Sequence, residues 1–332
     1  MSRDDAKTPP QLPASGLTPL DRDRAGSMAD EGGAAAAEAE REGPRAGLTG
    51  PVLVATDLGD AADEAIRQAD GLSRALGGPL LACHVLPELL QVRMLFPQFH
   101  QRDAAARQGL EDEAAELVGR RVRDLTGRTR DEYRVLLDTG SAHAGILRAA
   151  EEAGAGVVVA GPGGVAERVV RHAPCAVLIA RRSGPGVVLA ATDFSDPALP
   201  AVAAGAAEAA RRGVEFAVVH SVDLTPAAAT PALAAHPALA VLSAVDSAAV
   251  RDSTLASLRA CLDRLKAAGT AIAAEGPAAR AILETARTRP AELVVVGTVG
   301  RTGLSRLALG SVAEAVLRAA PCSTLVVRLR PG

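Results

Sequence analysis

The residues best suited to chemistry form a glycine-rich segment near the carboxyl end of the 332-residue chain. The apolar run Leu293–Val296 predicts a buried strand, and it leads into Gly297, Gly300 and Gly310 before a predicted helix. Glycines let the backbone approach a ligand closely, and the free N–H groups at a helix start favour an anion. Two arginines within residues 297–311, here called the glycine loop, add positive charge. The glycine loop therefore suits a polyphosphate.

The same segment also fits a purely structural role. Gly297 fits a residue that only ends a strand, and Ser311 fits an ordinary helix N-cap. The spacing alone leaves both alternatives open. The chain has neither the G-x-x-x-x-G-K-[ST] signature of P-loops nor the G-x-G-x-x-G signature of dinucleotide-binding folds, so neither of those binding modes applies.

Composition argues against several classes of function. A formal net charge of -3 offers no general attraction to nucleic acid or to an anionic membrane. Aromatic residues make up 2% of the chain and Trp is absent, so stacking platforms for bases are scarce. The four cysteines lack zinc-site spacing and fit small buried side chains in a reducing compartment. With no basic, apolar leader at the N-terminus, these features predict a cytoplasmic protein without nucleic-acid or membrane partners.

One uncharged stretch tests the membrane question. The residues between Asp223 and Asp246 carry no charge and are numerous enough to cross a bilayer. They include Pro226, Pro231 and Pro237 and consist mostly of Ala and Thr, which favours a surface flap that ends in a short helix.

The glycine loop belongs to the second of two sequence repeats. The segment Val52–Asp57 recurs as Val188–Asp193, 136 residues later. Four further pairs keep that spacing: His84 and His220, Gly140 and Gly276, Ile146 and Ile282, and Gly161 and Gly297. The spacing then becomes 147 residues, since Ala173–Cys175 matches Ala320–Cys322. The second repeat therefore contains eleven additional residues, all within the glycine loop.

The periodicity within each repeat predicts an α/β fold. Residues 1–50 hold five prolines and no Val or Ile, and we expect a disordered tail there. The predicted units are 51–182 and 187–329, joined by a short junction. In each, continuous apolar strands alternate with helical periodicity, which favours a doubly wound sandwich with a parallel sheet.

The second repeat resembles the universal stress protein family. The pattern Gly297-x2-Gly300-x9-Gly310-Ser311 looks like the ATP-binding signature of that family, and Thr192–Ser195 resembles its first-strand motif. The resemblance covers about residues 51–329. It implies two five-stranded parallel sandwiches, of the adenine nucleotide alpha hydrolase-like type, that pair through their last strands as a pseudo-dimer. It also implies binding of ATP, with or without Mg²⁺, with little turnover, in stress survival, dormancy or metabolic signalling.

By this resemblance, nine residues of the second repeat contact ATP. Asp193 meets the adenosine portion, Ser221 supplies backbone contacts to adenine, and the others surround the phosphates. The nine residues are Asp193, Ser221, Gly297, Val299, Gly300, Arg301, Gly310, Ser311 and Val312. Asp193 also fits a capping carboxylate for the helix entered at Asp196. We predict no catalytic residue and no metal ligand set, and His84 and His220 fit packed residues at strand ends.

The first repeat departs from the pattern where the phosphates would lie. Gly161–Gly164 runs straight into Val165, so the glycine loop and the Ser311 hydroxyl have no counterpart, and Pro162 removes a backbone donor. We predict that this repeat does not bind ATP in this way and instead pairs with the second. A shortened loop in a unit that binds something else is the alternative.

Together these features predict an ATP-binding signalling protein that has at most weak ATPase activity. It would act on a protein partner that the sequence does not identify, as a pseudo-dimer within one chain, and further homodimers stay open. The alternative from another class is a nucleotide-independent scaffold with the same fold.

Overall fold

The computed structural model describes residues 48–87, 100–223, 247–298 and 309–328. The first repeat contains β1 Val52–Ala55, α1 Asp60–Leu76, β2 Leu80–Leu86, α2 His100–Thr126, β3 Tyr133–Thr139, α3 Ala142–Glu152, β4 Val157–Ala160, α4 Gly164–His172 and β5 Ala176–Ile179. The second contains β6 Val187–Ala191, a 3₁₀ turn Asp196–Ala198, α5 Leu199–Arg212, β7 Phe216–Val222, α6 Ser247–Arg264, β8 Thr270–Glu275, α7 Ala278–Thr288, β9 Ala291–Gly297, α8 Ser311–Ala319 and β10 Ser323–Val327. Most of the predicted tail and the uncharged flap lie outside the described residues.

The first strand and helix show how the sequence pattern produces each element. All four residues of β1 are buried, as its unbroken apolar run predicts for a strand covered on both faces. Helix α1 buries Ile66, Ala69 and Leu72 at helical spacing, and it ends at Gly77, which adopts the left-handed conformation with φ +64°.

The ten strands form one sheet in the order β3-β2-β1-β4-β5-β10-β9-β6-β7-β8. Within each repeat the five strands are parallel, and the only antiparallel pair within this sheet, β5 with β10, joins the two halves. In each half, the second and third strands lie on one side of the first strand, and the fourth and fifth strands lie on its other side. The predicted fold class, two five-stranded parallel sandwiches that pair through their last strands, is confirmed.

The joint between the halves follows an approximate twofold axis. Leu178 of β5 lies opposite Leu325 of β10, and these two residues are counterparts at the 147-residue spacing. A residue that faces its own counterpart marks a self-complementary contact of the kind found in symmetric dimers. The two repeats thus meet as two subunits of a homodimer would.

Ion pairs repeat the same symmetry. Arg171 of α4 contacts Glu314 of α8 at 2.7 Å, and Arg318 of α8 contacts Glu167 of α4 at 3.0 Å. Arg171 and Arg318 are counterparts in the two repeats, as are Glu167 and Glu314. Each of the two helices therefore contributes one arginine and one glutamate to the ion pairs between them. All four side chains are partly exposed, and such pairs contribute modestly to stability.

Two more arginines cross the joint to the ends of these helices. Arg181 Nη2 donates to the carbonyl oxygen of Leu317 at 2.6 Å, and its counterpart Arg328 Nη2 donates to that of Val170 at 3.0 Å. Cations near the carboxyl end of a helix stabilise its unpaired carbonyls. Each repeat therefore completes the last helix of the other.

Small aliphatic side chains fill the layers on both faces of the sheet, as the low aromatic content predicts. Leu53 of β1 and Leu189 of β6 are fully buried on the same face and belong to one hydrophobic cluster that extends through both repeats. A second cluster covers the other face. Among the described helices, none is long and apolar enough to cross a membrane.

All four cysteines are buried free thiols, as predicted. Burial, with a smaller effect of Asp138, raises the pKa of the Cys83 thiol to about 12. Burial also raises the pKa of Cys322 to about 11 and shifts that of Cys261 upward. Thiolates are the reactive form, so these three thiols are poor nucleophiles near neutral pH.

We expect the native protein to react slowly with a chromogenic disulfide reagent at pH 8. A pKa near 12 leaves about one Cys83 thiol in ten thousand ionised at that pH. Unfolding in guanidinium should release four fast-reacting thiols. Cys83→Ala, with one fewer thiol after unfolding, is the control, and rapid labelling of Cys83 in the native protein would contradict the burial seen here.

Candidate functional site

The predicted site residues come together at one edge of the second half-sheet. Gly297 ends β9, Asp193 follows β6, and Ser221 lies near the end of β7. These three parallel strands are neighbours in the order β9-β6-β7, and the strand order reverses between β9 and β6. In open α/β sheets, ligands bind at such a reversal, beyond the carboxyl ends of the strands. Val299, Gly300 and Arg301 lie outside the described residues.

The two ends of the glycine loop are joined by a hydrogen bond. The N–H of Gly310 donates to the carbonyl oxygen of Thr298 at 2.8 Å. The N–H of Thr298 in turn donates to the carbonyl oxygen of Val327 at 3.1 Å. Thr298 is buried. The loop therefore leaves and returns at one point beside β10, which places the start of α8 next to the end of β9.

The start of α8 has a glycine as its N-cap residue. Gly310 is the N-cap residue and contributes no side-chain cap, while its carbonyl oxygen accepts from the N–H of Glu314 at 2.9 Å. Ser311 is the first residue of the helix and is exposed. The structural alternative in which Ser311 caps the helix is therefore wrong. The first N–H groups of a helix have no intrahelical acceptor, and an anion is a suitable partner for them.

Asp193 holds a tight turn after β6. Its Oδ1 accepts a hydrogen bond from the N–H of Ser195 at 3.0 Å and another from the Ser195 hydroxyl. Phe194 between them has φ +64°, a conformation that is uncommon for a residue with a side chain. Ser195 is itself the N-cap residue of the 3₁₀ turn, so the Asp193 contacts brace the approach to that turn, and its capping by Asp193 stays a prediction.

The first repeat forms the same turn. Asp57 Oδ1 accepts from the N–H of Gly59 at 2.9 Å, and Leu58 has φ +66°. Both turns are also braced by a threonine hydroxyl, because Thr56 and Thr192 each accept from the N–H two residues later at 3.1 Å. The turn is therefore a property of both repeats, whereas the glycine loop belongs to the second alone.

His84 and His220 are packed residues at strand ends, as predicted. His84 Nδ1 lies 2.8 Å from the carbonyl oxygen of Thr56, and His220 Nδ1 lies 2.7 Å from that of Thr192. A carbonyl oxygen only accepts, so Nδ1 carries the hydrogen in both rings. The His220 ring also packs against Phe194, with 4.4 Å between ring centroids.

Ser221 turns backbone groups toward the site. Its hydroxyl donates to the carbonyl oxygen of Gly276 at 3.2 Å. The carbonyl oxygen of Val219 faces β6, because it accepts a hydrogen bond from the N–H of Thr192. The carbonyl oxygen of Val222 faces β8, because it accepts one from the N–H of Gly276. Backbone groups alternate sides along a parallel strand, so the N–H and carbonyl of Ser221 face the β6 side. The register between β6 and β7 ends at Val219, so these groups lie beyond the last strand pair.

The equivalent edge of the first repeat holds a small cavity. Its volume is about 210 Å³, and its lining includes Asp57, Cys83, Ile146 and residues 160–166. Typical pockets for drug-sized ligands have volumes of roughly 300–1,000 Å³. Three residues separate β4 from α4, and Gly163 among them has φ +149°. The short connection and the small cavity suit a ligand smaller than ATP.

Sequence reasoning missed two residues of this edge. Thr298 accepts the hydrogen bond that joins the loop ends. No pattern in the sequence around Thr298 indicates this role. Phe194 packs on His220 with a positive φ, and the only signal for it is its place in the Thr192–Ser195 motif of the family resemblance.

The comparison with protein families agrees with the repeat. The model of the universal stress protein family matches residues 49–181 and again residues 186–328. The chain belongs to the universal stress protein family. The two matches correspond to the two half-sheets, each with its own first-strand turn.

Curated relatives match over short segments only. A universal stress protein of Methanocaldococcus jannaschii is 52% identical over 54 residues, which cover 16% of this chain and 32% of the relative. The universal stress protein A homolog 2 of Coxiella burnetii is 46% identical over 55 residues, or 17% of this chain and 37% of the relative. The matches thus span about a third of each relative's length.

Solved structures match over both repeats. A universal stress protein from Archaeoglobus fulgidus superposes with a TM-score of 0.58 at 17% identity, covering 84% of this chain and 96% of that one. A putative universal stress protein from Pseudomonas aeruginosa gives a TM-score of 0.53 at 20% identity, with 85% and 94% covered. At such identities the likeness establishes the shared tandem fold.

Proposed function

We propose that this universal stress protein binds one ATP in its second repeat and signals that occupancy to a protein partner in a stress or dormancy response. The observation that carries the proposal is the start of α8, where the N-cap residue is a glycine and the hydrogen bond between Thr298 and Gly310 holds the helix beside the end of β9. The first N–H groups of a helix have no intrahelical acceptor, and here they lie at the edge where the strand order reverses.

The phosphates would be bound mainly by backbone groups. The N–H groups of Ser311 and Val312 lie at the helix start, and the helix dipole favours negative charge there. Arg301 of the glycine loop adds a cation. Hydrogen bonds to charged groups contribute about 1.5–3 kcal/mol each, so three or four of them support micromolar affinity.

The adenosine portion would lie along β6 and β7. The N–H and carbonyl of Ser221 face the β6 side beyond the last strand pair, and such a donor and acceptor match the edge of adenine. Asp193 stands at the end of β6, where a carboxylate can accept from ribose hydroxyls. Its turn fixes the direction of that carboxylate.

The proposed role is binding rather than efficient catalysis. His220, at the same edge, uses Nδ1 to hold the carbonyl of Thr192. Among the described residues, no three His, Cys, Asp or Glu side chains are grouped so that they could hold a metal ion. Any Mg²⁺ in this proposal would arrive with the phosphates, and turnover would be weak at most.

We further propose a cytoplasmic location and no nucleic-acid partner. The support is the set of four buried free thiols, which suits a reducing compartment, and the net charge of -3. The first repeat serves in this proposal as the structural partner of the nucleotide-binding repeat.

Mass spectrometry of nucleotide released from freshly purified protein tests the proposal. We expect ATP at close to one equivalent per chain. Gly300→Val together with Ser311→Ala should lower retention at least tenfold, because the loop can no longer approach the phosphates and a hydroxyl is lost.

Gly164→Ala is the matched control for this experiment. Gly164 begins α4 as Ser311 begins α8, and an added methyl group meets nothing within 4 Å. This variant should retain ATP like the wild type. Absence of nucleotide from the wild type, together with no binding of added ATP, would favour the nucleotide-independent scaffold.

A further inference from the structure

Strand β3 is an outer strand of the sheet. It pairs with β2 along all seven of its residues and, among the described residues, has no strand on its other side. An outer strand presents unpaired N–H and carbonyl groups that can pair with another chain. The side chains on and beside β3 therefore decide whether this strand can pair with a strand of another chain.

Three alternate residues of β3 share one face of the sheet. Arg134, Leu136 and Asp138 point toward α3, because residues two apart lie on the same face and Asp138 binds Arg148 of that helix at 2.7 Å. Arg134 is exposed and makes no hydrogen bond or ion pair with any described residue. A groove of about 570 Å³ runs along this face between β3 and α3.

We propose that two copies of the chain pair antiparallel through β3, with Leu136 opposite Leu136 of the second copy. In that register Arg134 of each copy lies opposite Asp138 of the other, which gives two cross-strand pairs of opposite charge. The Arg148 guanidinium already beside Asp138 stays in place. The two grooves would meet in a continuous sheet of twenty strands.

Neighbouring registers lack this complementarity. Centring the pair on Val135 places Glu132 opposite Asp138, and centring it on Leu137 places Leu136 opposite Asp138. Only the register centred on Leu136 joins apolar to apolar and cation to anion. A register in a sheet is specified in this way by the side chains that it brings together.

The chain already contains a joint of the proposed type. Strands β5 and β10 pair antiparallel with Leu178 opposite Leu325, its own counterpart. The other outer strand, β8, lacks the charges, because Thr270 and Ala274 stand where β3 has Arg134 and Asp138. The self-complementary pattern is therefore specific to the first repeat.

Sedimentation velocity and light scattering of the full chain test the proposal. We expect a mass of twice 33.6 kDa at tens of micromolar protein. Arg134→Asp should raise the dimer dissociation constant about tenfold or more, because each attractive pair becomes repulsive. In an Arg148→Gln background, which removes the guanidinium beside position 138, Arg134→Asp combined with Asp138→Arg should restore dimerisation, since the opposite charges again face each other.

Thr270→Asp, at the equivalent position of β8, is the control and should leave the mass unchanged. A wild-type chain that stays monomeric up to hundreds of micromolar would overturn the proposal. So would a dimer with the same dissociation constant in Arg134→Asp, or a double variant that fails to re-form it while its circular dichroism matches the wild type. None of these outcomes depends on nucleotide binding.

Discussion

With ATP bound as proposed, we expect a thousandfold excess of ATP over its dissociation constant to raise the free energy of unfolding by about 4.1 kcal/mol. Because the core and the β5–β10 pairing run through both repeats, we expect them to unfold together as a unit of about 280 residues, for which that gain raises the Tm by about 7 °C. A repeat that unfolded on its own would show a larger shift, because a smaller unit has a smaller unfolding entropy. Thermal unfolding followed by circular dichroism, with and without Mg²⁺, measures it.

A matched pair of variants shows which repeat is responsible. Asp193→Ala and Asp57→Ala each remove a carboxylate that braces the same turn, so their costs to the free protein should be alike. Asp193→Ala should lose most of the ATP-induced shift, and Asp57→Ala should keep it. A melting curve that millimolar ATP leaves unchanged, or equal loss in both variants, would contradict binding in the second repeat.

Truncation of a central leucine gives the second large effect. Leu189 in β6 is fully buried, and we expect Leu189→Ala to lower the free energy of unfolding by about 2–5 kcal/mol. Leu53→Ala, its counterpart in β1, should cost a similar amount, because Leu53 is also fully buried in the same hydrophobic cluster. Such a loss is a large part of the roughly 5–15 kcal/mol that stabilises a typical domain.

Urea unfolding followed by circular dichroism and by accessibility of the buried cysteines measures both losses. Because the core and the β5–β10 pairing run through both repeats, each variant should move one shared transition to lower urea. Val165→Ala, at a largely exposed position of α4, should change little and is the control. Two separate transitions, with Leu53→Ala moving only one of them, would show that the repeats unfold independently.

The helices and strands can be predicted from hydrophobic periodicity, because the periodicity reflects which side chains of each element are buried. The sequence periodicity predicts a helix around residues 104–125, which is α2, His100–Thr126, and a short helix at Ala166–Arg171, which is α4, Gly164–His172. The pairing through the last strands came from the family resemblance. Its register, with Leu178 opposite Leu325, rests on side-chain packing between distant segments, which no local pattern encodes.

The sequence predicts those parts of the site that depend on local backbone chemistry. It does not predict those that depend on contacts between distant segments. Glycine spacing indicated the loop, and the repeat indicated the turn at Asp193. The hydrogen bond from Gly310 to Thr298 and the direction of the Ser221 backbone arise only when the strands are assembled. Ser311 looked like a helix cap in the sequence, whereas the structure gives that position to Gly310.

The reciprocal arginine contacts have a consequence for how the two halves can diverge. In a dimer of identical subunits, any loss from a binding loop occurs twice. Here the joint uses β5, β10, the far ends of α4 and α8 and the first-turn residues Glu167 and Glu314, and none of these belongs to the glycine loop. Fusion into one chain therefore lets one half give up its loop while the contacts of the joint remain, and the proposed stoichiometry is one nucleotide for every paired set of sheets.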